Sequence, residues 1–193
     1  MVDGKQLTIA WHVDDCIASH MDKRVLEEFG KVMIKEFGEM DFTTGDEHDF
    51  LGMKIKMNTD KTVTIDRRDK LREAIDLFEE YDNLVDPQTI TPAANYLFIV
   101  NPNSEQLDQK YSEGFHSIAA KLGYIMKRAR PDIETGVSFL MKRVAKSDVD
   151  DRKILRRIIG FLKSTLDELR IIGATSLAEI MTLLIPLMLF MKI

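Results

Sequence analysis

Residues 7–20 read LTIAWHVDDCIASH, and this stretch decides how the first part of the chain is expected to fold. The segments Leu7–His12 and Cys16–His20 are short and rich in residues that favour strands. Asp14 and Asp15 lie between them, and aspartate is frequent in tight turns. The pattern predicts a β-hairpin that carries two carboxylates at its tip.

Helical and strand patterns alternate after this hairpin. Asp22 is placed to cap a helix that runs to about Phe37, and Gly38 is expected to end it. The elements expected next are a strand over 50–57, a turn over 58–61, a return strand over 62–66 and a helix over 69–81.

The second half of the chain has helical spacing. Three of the five prolines fall within residues 82–110, which makes a linker over 82–111 the best candidate boundary. Asp132, after Arg130 and Pro131, is a possible cap where a helix stops and the next one starts. The fold class is therefore predicted to be α+β. The expected helices cover 112–128, 132–145 and 149–166.

Composition excludes several classes of protein. The chain has 193 residues, of which 45% are hydrophobic, and this supports one or two globular domains with a core. A single cysteine excludes a disulfide framework and a zinc site of several cysteines. The first residues contain no apolar signal core, so we expect an intracellular, cytoplasmic protein that is not secreted.

Charge is distributed unevenly along the chain. The net charge is −5, but residues 1–60 carry 7 basic and 13 acidic side chains, whereas residues 111–170 carry 13 basic and 8 acidic ones. An acidic front and a basic back suggest metal or turn chemistry in the first part and contact with a polyanion in the second.

The adjacent carboxylates of Asp14 and Asp15 are candidate ligands for Mg²⁺, which takes oxygen ligands and keeps water or phosphate in its other positions. A solvated acidic turn explains the same dipeptide. Zinc is a weaker interpretation of His12, Cys16 and His20, because four-residue spacing along a strand covers about 13 Å, too far for one ion.

The cations of the second half are candidate contacts to a phosphate backbone, although ordinary solvated helix faces explain them equally well. The residues singled out are Lys121, Lys127, Arg128, Arg130, Lys142, Arg143, Arg156, Arg157 and Lys163.

The last residues form an apolar tail. Residues 180–191 are almost wholly apolar, but a bilayer needs about 20 such residues, and Pro186 interrupts them. A tail anchor in a membrane is therefore a possible but short alternative.

Five short motifs, in order, resemble the C-terminal part of a reverse transcriptase from copia-type (pseudovirus-type) LTR retrotransposons. The match covers roughly residues 5–175, and each motif is weak alone, whereas their order and spacing are distinctive. The motifs are Trp11-His12-Val13-Asp14-Asp15, similar to the family's Tyr/His-Val-Asp-Asp box; Phe50-Leu51-Gly52-Met53, similar to its Phe/Tyr-Leu-Gly hairpin; Thr91-Pro92-Ala93; the block from Phe115 to Ile133; and Arg157 to Thr165, similar to Arg-x-x-x-Tyr-Leu-Lys-x-Thr.

The resemblance implies an RNA-directed DNA polymerase fragment: part of a palm over 1–81, a linker over 82–111 and a helical thumb over 112–170. Asp14 and Asp15 would be catalytic ligands of Mg²⁺. The primer end would lie near His12 and be gripped by Phe50, Leu51 and Gly52, which the resemblance places on a hairpin.

The implied partners are an RNA/DNA template–primer duplex, which the cations of the thumb would contact through phosphates, and a dNTP in the complete enzyme. The rest of the pol polyprotein, with fingers, RNase H and integrase, is implied too, and so is a virus-like particle for a complete element. No membrane partner is expected.

Two departures from the family pattern qualify these expectations. Polymerases of this family use a further palm aspartate well upstream of the Val-Asp-Asp box, so we expect this chain to be catalytically inactive alone. The alternative to a polymerase fragment is a remnant that binds nucleic acid without catalysis. The apolar tail over 171–193 does not resemble the start of RNase H. We expect it to be an out-of-frame product without a function of its own.

Overall fold

The computed structural model describes residues 1–2, 4–60, 62–82, 89–173 and 188–192. Two compact units divide the chain. Unit 1 comprises Met1–Asp66 and Arg170–Ile193, and unit 2 comprises Arg67–Leu169. Unit 1 contains sheets and a helix, whereas unit 2 is helical, so the predicted α+β class is confirmed.

Unit 1 contains a first antiparallel sheet whose strand order is β1-β2-β8-β3. The hairpin predicted over 7–20 is present in it as the neighbouring strands β1 and β2. The strands are β1, Thr8–His12; β2, Asp15–Ser19; β3, Asp41–Thr43; and β8, Met188–Lys192.

Helix α1, Lys23–Phe37, packs its apolar face on this sheet and connects β2 to β3. Asp22 caps it as predicted by accepting a hydrogen bond from the Arg24 amide, and Gly38 follows its last turn with φ +93°. Arg24 also donates side-chain hydrogen bonds to Asp22, and these hold the pKa of that carboxyl at about 2.

Strands β2 and β3 are joined through α1 but are not neighbours in the sheet, because β8 lies between them. Residues 188–192 of the apolar tail fill that position, antiparallel to both neighbours. The tail predicted over 171–193 also includes residues 171 and 172, which belong to a strand of the second sheet. Its residues 174–187 and 193 lie outside the described residues.

A second antiparallel sheet in unit 1 has the order β4-β5-β6-β7. The single strand predicted over 50–57 is wrong, because Leu51 and Gly52 form a turn within it. Leu51 is in phase with the apolar residues that follow it, so the alternation continues through the turn and conceals it. The strands are β4, Glu47–Phe50; β5, Met53–Met57; β6, Val63–Asp66; and β7, Arg170–Ile172.

The described residues of unit 2 form four α-helices around one apolar core. The largest fully buried side chains come from every one of these helices, so the core is shared rather than local. Short 3₁₀ turns at Pro131–Ile133 and Val144–Lys146 separate three of the helices. The helices are α2, Arg68–Tyr81; α3, Gln109–Arg128; α4, Glu134–Met141; and α5, Val149–Ser164.

The boundary between the units differs from the one expected at the prolines. Helix α2 belongs to unit 2, because its buried Leu71, Ile75 and Phe78 contribute to the same core as α3 and α5. The irregular segment over 89–108 also packs on this unit through buried Leu97 and through Thr89, whose hydroxyl donates to the carbonyl of Arg157 at 3.2 Å.

No helix among the described residues is both long and apolar enough to cross a bilayer. The apolar stretch over 180–191, which raised the membrane alternative, lies largely outside those residues.

Candidate functional site

The tip of the first hairpin is a two-residue loop. His12 pairs with Asp15 across the strands, so Val13 and Asp14 form the loop itself. Val13 has φ +54° and is 79% exposed, whereas Asp14 has a negative φ. A positive φ at the first loop position only is typical of a type II′ turn, where glycine is usually found. The β-branched Val13 therefore holds a strained backbone at the acidic tip.

Trp11 anchors this strained tip to the end of α1. Its indole N–H donates to the carbonyl oxygen of Val13 at 2.8 Å. Its ring lies edge-to-face against Phe37, with 5.5 Å between the ring centroids. The tryptophan of the Trp-His-Val-Asp-Asp motif thus fixes the loop that presents the carboxylates.

The two adjacent carboxylates have different surroundings. Asp14 is exposed and accepts no hydrogen bond from the residues that the structure describes. Asp15 is half-buried, and its Oδ2 accepts a hydrogen bond of 3.0 Å from the backbone N–H of Leu51. The structure therefore brings together residues that are 36 positions apart, one from each of the two hairpin motifs.

The second hairpin also turns through a strained loop. Phe50 pairs with Met53, and the loop residues Leu51 and Gly52 have φ values of +50° and +64°. Positive φ at both positions is typical of a type I′ turn, in which Asn-Gly is preferred over leucine. The hairpin that the resemblance implies at Phe50, Leu51 and Gly52 is present. The backbone N–H of Leu51 is the group that contacts Asp15.

The donor set suits Mg²⁺ better than zinc. Mg²⁺ is commonly held by one or two carboxylates, with water or phosphate completing its shell. Asp14 and the Oδ1 atom of Asp15 fit that requirement. Among the described residues, no cluster of three or more histidine, cysteine or acidic side chains has the spacing of a metal site.

The residues of the zinc interpretation are separated by burial. Cys16 and His20 are almost fully buried, whereas His12 is exposed. Burial raises the pKa of the Cys16 thiol, which disfavours the thiolate that a metal requires. His20 is engaged next to the cap of α1, where its Nδ1 accepts a hydrogen bond from the Asp22 amide at 2.9 Å.

Three of the predicted nucleic-acid contacts are arginines that form ion pairs with carboxylates of unit 2. Arg130 is 5% exposed; it binds Asp132 at 2.7 Å and also donates to Thr165. Asp132 therefore pairs with an arginine rather than capping a helix.

Of the other two arginines, Arg143 precedes α5 in the chain and Arg156 lies in the middle of that helix. Arg143 binds the buried carboxylates of Asp148 and Asp151. Arg156 binds buried Asp82 at 2.6 Å, and Arg152 binds the same carboxylate.

Two further cations of the predicted set make contacts near the surface. Arg157 donates to the hydroxyl of Thr91 at 2.9 Å, and Lys163 pairs with Glu79. The Thr-Pro motif at residue 91 is thus joined to the last motif of the chain by a hydrogen bond.

The remaining predicted cations are more accessible, and three of them lie on one face of α3. Lys121, Lys127 and Arg128, together with half-exposed Tyr124, form a surface that we call the α3 patch. The guanidinium of Arg128 lies 3.8 Å from the centre of the Tyr124 ring. Lys121 is 3.8 Å from Glu73, and Lys127 makes no ion pair with any described residue.

Sequence reasoning missed the tyrosine at the centre of this patch and a second arginine beside it. The guanidinium of Arg67 lies 4.3 Å from the centre of the Tyr124 ring. The spacing of Lys121, Tyr124 and Arg128 by three and four residues could have indicated the shared face. Nothing in the sequence could have placed Arg67 there. Exposed Lys142 lies on the segment after α4, outside this patch.

Comparisons with protein-family models, with curated proteins and with solved structures found no match to this chain. The hairpin pair and the α3 patch are therefore the basis of the functional proposal.

Proposed function

We propose that the chain is the palm end and thumb of a copia-type RNA-directed DNA polymerase. The observation that carries this proposal is the hydrogen bond between Asp15 and Leu51, because it joins the acidic motif to the second hairpin motif in space. A polymerase requires these two motifs to lie close together, since the primer end must lie beside the metal-binding carboxylates for nucleotidyl transfer.

The proposed roles follow the geometry of unit 1. Asp14 and Asp15 would hold Mg²⁺, which in nucleotidyl transfer polarises the phosphate and stabilises the attacking and leaving oxygens. Exposed His12 lies next to the loop, opposite Asp15, and would face the primer terminus. The turn at Leu51 and Gly52 would support the primer strand beside the carboxylates.

Catalysis by this chain alone is not expected. Two carboxylates from one hairpin do not complete a site for two metal ions, which requires ligands from more than one element. We therefore expect Mg²⁺ binding without DNA synthesis, and synthesis only together with the remaining polymerase segments.

Metal binding tests the acidic site. Mn²⁺, used as a paramagnetic substitute for Mg²⁺, should bind the intact chain weakly, and Asp14→Asn should weaken that binding at least about tenfold, because an uncharged amide is a poor ligand for a hard cation. Asp76→Asn, on the exposed face of α2, makes the same charge change away from the site and should have no effect. Equal binding by all three proteins would reject the metal site.

A second candidate function is nucleic-acid binding without catalysis, and the α3 patch favours it. An exposed aromatic ring beside several cations is suited to phosphate contacts with little sequence preference. Under this function, Asp14→Asn and Asp15→Asn should leave binding of an RNA/DNA duplex unchanged or slightly stronger.

Charge reversal on the patch tests that candidate. The double variant Lys121→Glu and Lys127→Glu should weaken binding of an RNA/DNA duplex and reduce its dependence on salt, because fewer counterions are released. The variant Lys31→Glu with Lys35→Glu makes the same change in net charge on α1 and serves as the control. Equal losses in both variants would mean that only net charge matters.

A further inference from the structure

We propose that Asp15 is a positioning residue, which holds the Leu51–Gly52 turn against the acidic tip so that the two strained loops of unit 1 act as one body. Its purpose, the placement of the primer beside Asp14, rests on the proposed function. The contact itself does not, so it can be tested separately.

Backbone strain in both loops is the first observation that supports this inference. Val13 and Leu51 are the non-glycine residues that the structure describes with positive φ. Such conformations persist only where surrounding contacts over-determine them. At Val13 the contact is the indole N–H of Trp11. At Leu51 the backbone N–H is fixed by the Asp15 carboxylate.

The position of Asp15 in the hairpin makes this contact effective. Its backbone pairs with His12 as the last pair before the loop, so the residue cannot shift without opening the hairpin. Its Oδ2 reaches the amide at the centre of the other turn. A carboxylate bound to an amide forms a charge-assisted hydrogen bond, which is stronger than one between neutral groups.

The two carboxylates therefore have different roles in this proposal. Asp14 is exposed and available to a cation, whereas one oxygen of Asp15 is committed to the turn. The other oxygen of Asp15 accepts no hydrogen bond from the described part of the chain, so a cation bound there would be linked through one carboxylate to the position of Leu51.

Hydrogen exchange of the Leu51 amide in the full chain tests the contact directly. In Asp15→Ala the protection of this amide should fall at least about tenfold, because its acceptor is lost. Asp15→Asn should restore part of the protection, since the amide oxygen can still accept. Asp14→Ala, the matched control on the neighbouring carboxylate, should leave protection within about twofold. The amide of Ile17, within β2, reports whether the sheet stays folded.

Equal protection of Leu51 in the native chain and in folded Asp15→Ala would overturn the proposal, and so would an equal loss in Asp14→Ala. If Asp15→Ala does not fold, the amide proton shift of Leu51 in Asp15→Asn decides: an upfield change supports the contact, and an unchanged shift rejects it.

Addition of an RNA/DNA template–primer separates this inference from the proposed function. Shift changes at Leu51 and Gly52 in the native chain, lost in Asp15→Ala, would support both. A protected Leu51 amide that does not respond to the duplex would contradict the primer role and leave the positioning contact intact.

Discussion

At the scale of the residue, two identical side chains in sequence have different surroundings in the fold. Asp14 is exposed at a loop position, and Asp15, one residue later, lies half-buried with a backbone amide bound to it. Asp14 belongs to the loop and Asp15 begins β2, but the sequence does not indicate that the amide of Leu51 lies beside Asp15. The proposed division between a metal ligand and a positioning residue therefore depends on the fold and cannot be predicted from the two adjacent aspartates alone.

Strain at Val13 gives the first prediction at this scale. Val13→Gly should raise the free energy of unfolding by about 1 kcal/mol, because relief of positive φ outweighs the extra entropy of glycine. The side chain is largely exposed, so little burial is lost. Urea denaturation followed by the fluorescence of Trp11 measures the change.

Val32→Gly is the matched control for this prediction. Val32 is another exposed valine, but it lies within α1, where glycine should destabilise by about 0.5–1 kcal/mol. Destabilisation of both variants would mean that Val13 is not strained.

His48 gives a prediction about pH. It is buried on β4, and its Nε2 donates to the carbonyl of Gly45 at 2.8 Å. Burial lowers the pKa of His48, against the smaller raising effects of the Gly45 carbonyl and of Asp46. The unfolded chain therefore takes up a proton at a higher pH than the folded chain does, and stability should fall as the pH drops below about 6.5.

His48→Gln tests this dependence. Glutamine retains an N–H donor for Gly45 but does not titrate, so stability should change less between pH 7 and pH 5 than in the native chain. Urea midpoints at the two pH values provide the comparison, and parallel slopes in both proteins would exclude His48 as the cause.

At the scale of the element, the cations of the second half serve first to join helices. The N-terminus of α5 has a capping box of Asp148 and Asp151, and Arg143 forms an ion pair with each of these buried carboxylates. Burial raises the pKa of Asp151, against the lowering effect of Arg143, so removal of the arginine would leave that carboxylate without its counter-charge. A basic surplus in a helical sequence thus does not identify a binding surface by itself.

Removal of this arginine should be costly. Arg143→Leu should destabilise unit 2 by about 3–5 kcal/mol, because it leaves buried charges without a partner. Lys142→Leu, at the exposed neighbouring position, should change stability by no more than about 0.5 kcal/mol. Thermal unfolding followed by circular dichroism measures both, and similar losses would contradict the structural role of Arg143.

At the scale of the whole molecule, each unit has its own apolar core. The core of unit 2 includes Leu71, Ile75 and Phe78 of α2, a helix that sequence reasoning joined to the hairpins because the prolines come after it. Proline content indicates where the chain bends, whereas a domain boundary depends on which apolar faces meet.

Two fragments test where the boundary lies. Residues 67–169 should fold alone, with helical circular dichroism and a cooperative unfolding transition, because they contain one complete core. Residues 82–169 lack α2 and should lose cooperativity, since burial of three large apolar side chains is lost. Cooperative folding of the shorter fragment would show that α2 is not needed for the core and would support a domain boundary at the prolines.

The sequence by itself determined the local features. The hairpin at residues 8–19, the cap at Asp22 and most helix bounds follow from short-range rules of turns, capping and periodicity. These rules did not predict the turn at Leu51, because Leu51 continues the alternation of apolar and polar residues that indicates a strand. The resemblance to a polymerase also came from sequence, through the order of short motifs.

Only the tertiary structure decided which distant groups meet. It placed the amide of Leu51 beside Asp15, paired Arg130, Arg143 and Arg156 with carboxylates, and assigned α2 to the helical unit. Strand 188–192 likewise took the position between β2 and β3. The physical reason is common to all of these: local propensity acts over a few residues, whereas burial and charge pairing depend on which surfaces come together when the chain collapses.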